Sequence, residues 1–176
     1  MLLGGSHICE PRGTLAARDA WPARLPPRFV SIKETSTMPT LNESFSVPNA
    51  QQSWGVITDL NKLIPCVPGA KVLSADSPTS AKAEITVKMG SMGMVFTGPV
   101  TIESVNGQTA KIKANTREAG GQSNAAGDVT ISMSGSQVNI SADANVSGKA
   151  ASMGEGTVLA VLTQLVKSFA GNLAKA

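Results

Sequence analysis

From Leu41 onward the chain alternates apolar and polar residues with unusual regularity. Leu41, Phe45 and Val47 stand opposite Asn42, Ser44 and Ser46, which predicts a first strand. Pro48-Asn49 ends it, and Asn49 is placed to cap a short helix through Gln51–Ile57. A second short helix is expected over Asp59–Leu63, stopped by Pro65 and Pro68-Gly69. The run Ala81, Ala83, Ile85, Val87, Met89 then alternates with Lys82, Glu84, Thr86 and Lys88, which predicts a strand with one wet face.

Four further segments repeat this pattern. Met94, Phe96, Gly98, Val100 and Ile102 share one parity. Ala110, Ile112 and Ala114 oppose Lys111 and Lys113, and Val129, Ile131 and Met133 oppose Thr130 and Ser132. Val138, Ile140, Ala142, Ala144 and Val146 oppose Asn139, Ser141, Asp143 and Asn145. The connectors at Asn106-Gly107 and Gly135 are short, as hairpins require, so the segments form an antiparallel meander. A long helix over about Ala151–Lys175 closes the chain, with Val158, Leu162, Leu165, Val166, Phe169 and Leu173 in one stripe. That stripe must be buried, and the inner face of the sheet is the available partner. The stripe is interrupted by Thr157, Gln164, Lys167 and Asn172, and no apolar run is long enough for a membrane span.

Residues 1–37 lack this order. They carry four prolines and scattered arginines, without the apolar stretch of a secretory signal. They are expected to be a disordered leader, or the product of a start assigned upstream of Met38. The folded domain is then residues 38–176. Fifteen basic residues against twelve acidic ones give +3, but the part from Met38 onward carries only about +1. No basic face is visible, and tyrosine is absent, which argues against nucleic-acid binding.

Chemistry is scarce as well. His7 is the single histidine and lies in the leader, so imidazole catalysis has no carrier in the domain. Cys9 and Cys66 do not form a metal-spaced pair, and no metal or other cofactor is expected. The glycines do not follow the order of a phosphate-binding loop. Glu43 shares parity with Leu41 and Phe45, which makes it the one candidate for an inward acid, but at the start of an edge strand it is expected to be solvated. Several inward positions are small: Gly98, Ala110, Ala114, Ala142 and Ala144. They leave room for an apolar ligand, or they let the sheet pack closer on the helix; composition does not decide between these. Methionines at 89, 92, 94, 133 and 153 suit either use.

The succession of motifs resembles a known family. Phe45-Ser46-Val47-Pro48 is followed by Trp54, Asp59 and Cys66-Val67-Pro68-Gly69-Ala70. Val87-Lys88-Met89-Gly90 then leads to Phe96-Thr97-Gly98-Pro99-Val100, with Gly148 and Gly154 before the last helix. This resembles the CoxG family of carbon monoxide dehydrogenase, within the START-like, helix-grip superfamily that includes polyketide cyclases and lipid-transfer domains. The resemblance implies an α+β helix-grip fold: a curved antiparallel sheet wrapped around a long C-terminal helix, with two short helices after the first strand. It also implies an accessory role for a molybdenum hydroxylase of the carbon monoxide dehydrogenase type, in maturation or membrane recruitment, with a lipid or quinone in the cavity. Such a protein is expected to be noncatalytic and cytoplasmic, in peripheral contact with the inner face of the membrane.

Residues expected around the ligand are Phe45, Met94, Phe96, Ala110, Ile112, Met133, Ala142, Ala144 and Leu162, with Trp54 at the family's tryptophan position. Two alternatives stay open. One is an interaction module without a ligand; the other is a cyclase- or hydrolase-type enzyme using Glu43.

Overall fold

The computed structural model of the chain describes residues 36–176. Strands β1 (Ser36–Thr37) and β2 (Thr40–Ser46) come first, then helices α1 (Ala50–Ile57) and α2 (Leu60–Cys66). Six strands follow: β3 (Ala70–Ser77), β4 (Ser80–Met89), β5 (Met92–Asn106), β6 (Thr109–Glu118), β7 (Ser123–Ser134) and β8 (Gln137–Gly148). Helix α3 (Glu155–Leu173) closes the chain. All pairings are antiparallel, in the order β1-β8-β7-β6-β5-β4-β3, with β2 also on β8. This is the helix-grip architecture expected from the sequence. The leader lies outside the described residues up to residue 35; Ser36 and Thr37 already pair with Ser147 and Val146, ahead of the Met38 boundary.

Local chemistry accounts for the elements. Asn49 caps α1 by accepting from the Gln52 N–H at 3.2 Å, and Asp59 caps α2 by accepting from the Asn61 N–H at 3.0 Å. Pro65 does not stop α2 as expected; it sits in the last turn. The hydrogen bond it cannot donate would have gone to the carbonyl of Asn61, an exposed residue that water can serve. Ala151–Met153 form a 3-10 turn rather than the start of the long helix, because Gly154 adopts φ +92°, outside helical geometry. Helix α3 therefore begins at Glu155.

Strand β3 had no counterpart in the sequence pattern. Its register against β4 slips between Val72 and Ser74 and again between Ala75 and Ser77. Those bulges break the period of two, and most of the strand is exposed at the sheet edge.

Two buried clusters hold the helix against the sheet. One gathers α1, α2 and the β6–β8 inner face around Phe169 and Leu173, near the end of α3. The other gathers Val87, Met94, Phe96, Val146, Ala150 and Ala151 around Val158, near its beginning. An added tie joins α3 to α2, where the Asn172 side-chain amide donates to the Cys66 carbonyl at 2.8 Å. Helix α3 is thus clamped at both ends. Val158, Phe169 and Leu173 are 2%, 5% and 1% exposed, whereas Val161, Leu162, Leu165 and Val166 between them are only half-buried.

Candidate functional site

Those half-buried residues face a cavity of about 320 Å³. It lies between the two clusters, with α3 on one side and the curved sheet on the other. The strand register explains why space remains there. Along β6, β7 and β8, inner-face residues fall into cross-strand rows. Ile112, Val129 and Ala142 make one row, and Ala114, Gly127 and Ala144 make the next. The second row has no side chain longer than a methyl group, and all three of its members line the cavity. Leu60, Leu63, Ile64 and Val67 of the α2 region, with Ile85, Val87 and Phe96 of β4 and β5, complete the wall.

The wall is chemically uniform. Thr116 is its one polar side chain, and no ionisable group lines it among the described residues. The Thr116 hydroxyl donates to the Ala125 carbonyl at 2.9 Å, which leaves its oxygen free only to accept. Such a surface attracts apolar matter by the hydrophobic effect, roughly 25 cal/mol for each Å² removed from water.

The ten residues expected around a ligand divide evenly. Phe96, Ile112, Ala142, Ala144 and Leu162 are on the wall. Phe45 and Trp54 are half-buried and pack against the larger cluster, where Trp54 holds α1 to the core. Ala110 and Met133 are buried inside that cluster, and Met94 inside the smaller one. Of the small inward residues, Gly98 leaves no void. A Cβ there would sit 2.0 Å from the Asn115 carbonyl oxygen, so the β6 backbone already occupies the space. Ala110 is 0% exposed and equally filled.

Glu43 is half-buried on the edge strand β2, paired with Ile140. It borders a shallow depression with Asn42, Ser44, Thr130, Ser132, Asn139 and Ser141, and it is absent from the cavity wall. Sequence reasoning missed a different acid. Glu118 ends β6, pairs with the wall residue Phe96, and buries its Oε2 without a hydrogen-bond partner. Extending the Ala110–Ala114 parity through Thr116 would have reached it. Cys66 is buried, its Sγ donating to the Lys62 carbonyl at 3.3 Å, and burial pushes the thiol above its ordinary range. No three histidine, cysteine, aspartate or glutamate side chains come together to hold a metal among the described residues, and no described helix is long and apolar enough to cross a membrane.

Comparison with known proteins agrees with this architecture. The carbon monoxide dehydrogenase CoxG family matches residues 44–176, well over half of the chain. No curated protein matches it in sequence. Among solved structures it is similar to a conserved protein from Geobacillus kaustophilus, with TM-score 0.58 and 17% identity over 80% of this chain and 93% of that one. A START superfamily protein from Mycobacterium smegmatis gives TM-score 0.55 and 14% identity over 78% and 97%. The Zhui aromatase/cyclase from Streptomyces sp. R1128 gives TM-score 0.52 and 9% identity over 78% and 92%. At these identities the likeness is one of fold.

Proposed function

The chain belongs to the CoxG family of carbon monoxide dehydrogenase, and from that premise we propose that it is a noncatalytic accessory protein of a carbon monoxide dehydrogenase-like molybdenum hydroxylase. In this reading it holds an apolar ligand, a lipid or a quinone, and assists maturation of the enzyme or its recruitment to the inner face of the membrane. Phe96, Ile112, Ala142, Ala144 and Leu162 contact the ligand, and residues ahead of the first strand serve as a leader.

One observation carries the reading. The cavity of about 320 Å³ is walled by hydrocarbon, with a single hydroxyl whose proton is already committed. This is within the volume range of small-molecule sites, and it is far more apolar than a site built for acid–base chemistry. The clamped ends of α3 keep the space open without relying on the residues that span it.

Native mass spectrometry after gentle purification tests ligand retention. The expected spectrum shows a noncovalent adduct whose mass, once released, fits a lipid or quinone. A chain that neither retains nor takes up either class contradicts the proposal. Co-purification with the hydroxylase tests the partner, and loss of that capture in a cavity-filled variant would tie recruitment to the ligand. Capture that survives cavity filling but fails on surface substitution would favour an interaction module instead. The enzyme alternative loses its original carrier, since Glu43 is off the wall.

A further inference from the structure

We propose that the cavity admits its ligands only in uncharged form, so that an apolar weak acid or amine enters it as the neutral molecule. This rests on the ligand-binding reading above and narrows the class of ligand: an uncharged molecule is preferred to an ionised one of the same shape and apolar area.

An ion leaves water only where protein groups replace its hydration. A carboxylate needs hydrogen-bond donors, and the wall has none to spare. No ionisable side chain lines it, and its one hydroxyl, Thr116, gives its hydrogen to the Ala125 carbonyl. Backbone N–H groups are the remaining source. Along β4 to β8 the wall residues stand within antiparallel ladders. Ala144 faces the gap between β1 and β2, yet its N–H donates to the Pro39 carbonyl at 3.0 Å.

The irregular backbone around α2 is closed in the same way. The Leu60 N–H donates to the Pro78 carbonyl at 2.8 Å, Val67 to Ile64 at 3.0 Å and Ala70 to Val67 at 3.1 Å. On α3 the first wall residue is Val158, whose N–H already donates to the Gly154 carbonyl at 3.2 Å. The N–H groups that a helix leaves unpaired at its start therefore precede the wall, and Glu155 sets a negative charge among them.

Charges close to the wall in sequence stay off it. Lys113 and Asp128 adjoin Ala114 and Gly127, but they point to the outer face and pair with each other at 3.5 Å. Cys66 beside Val67, and Glu118 beyond Thr116, are not on the wall either. An ammonium fares no better than a carboxylate, since acceptor side chains amount to the Thr116 oxygen. Exclusion of both signs separates this mechanism from a net field, which would repel one sign and attract the other.

Three naphthalene probes of similar shape test this on the full chain: methyl 2-naphthoate, 2-naphthoic acid and 2-naphthylmethylamine, titrated by fluorescence between about pH 5 and pH 8. Each affinity is read as a ratio to that of the ester at the same pH, so titration of the protein itself cancels. A carboxyl group titrates near pH 4, which leaves about one acid molecule in a thousand neutral at pH 7. We expect the ester to bind at least about 100-fold tighter than the acid at pH 7, and the ratio to grow about tenfold for each unit of rising pH. The ester should outbind the amine by a similar margin, with a ratio that shrinks about tenfold per unit over the same range. Acid or amine within about tenfold of the ester at pH 7, or ratios that do not move with pH, overturn the proposal but leave the cavity as a ligand site. If the ester does not bind, the ligand-binding reading falls together with it.

Discussion

Two rows of inner-face residues, four positions apart on the same three strands, differ in how they are covered, although Ile131 and Ile140 of the first also reach the cavity. Ala110, Ile131 and Ile140 form one; Ala114, Gly127 and Ala144 form the other. Both contain alanine, yet Ala110 is fully buried in a packed cluster while Ala114 and Ala144 face open volume. The difference lies in what stands opposite. The first row meets the cluster built by α1, α2, Phe169 and Leu173; the second meets the stretch of α3 between its two anchors. Gly98 makes the same point from the other direction, since neighbouring backbone fills the place of its missing side chain. A small residue does not create a void. A void arises where small residues coincide across strands and the covering element is held off by packing elsewhere.

The sharpest way to test this contrast is to truncate large side chains in each region. Ile57, 0% exposed within the packed cluster, should lose about 2–5 kcal/mol on Ile57→Ala, measured by urea unfolding. Leu165→Ala, on the cavity wall, should cost under about 1 kcal/mol, because the half-buried side chain already faces space. Equal losses would contradict the division into a packed floor and an open chamber.

Gly98→Ala comes next. The new methyl group meets β6 backbone rather than a side chain that could rotate away, so about 1–3 kcal/mol should be lost. Gly127→Val should do the reverse. A Cβ at Gly127 meets only ordinary contact, 3.8 Å from the Asp143 carbonyl oxygen, and valine favours a strand. The melting temperature should rise by a few degrees, about 1 kcal/mol or less, while affinity for an apolar ligand falls. Two glycines on the same inner face would then shift stability in opposite directions.

The smallest effect concerns Cys66, on the packed side. Burial raises its folded-state pKa above the ordinary 9.0, so the unfolded chain gives up this proton first. The resulting stability is complete below about pH 9 and is lost as pH climbs through the folded value. Cys66→Ala should flatten that alkaline decline, and the native thiol should react slowly with iodoacetamide near neutral pH.

Much of this organisation was legible because a strand with one wet face writes a period of two. Strands β4, β5, β6 and β8 could be read from parity, and Asn49 announced α1 through its cap. Parity names a face but not a row. It placed Ala110 and Met133 on the inner face with Ala142 and Ala144, and it carried no sign of which row the helices would cover. Strand β3 stayed hidden because its bulges erase alternation, and the α2 share of the wall depends on contacts between distant segments. Glu118 was within reach of the same parity, four residues beyond the end of the apolar run at Ala114.

The proposed role of the chamber under α3 is to hold an apolar molecule. Its most direct test is fluorescence titration with N-phenyl-1-naphthylamine, a neutral apolar probe, against the unaltered chain and Ala144→Phe, which puts a ring into the emptiest row. Saturable binding by the unaltered chain is expected, with loss of that binding in a variant that melts no lower. Undiminished binding by folded Ala144→Phe, or none by the unaltered chain, would contradict it.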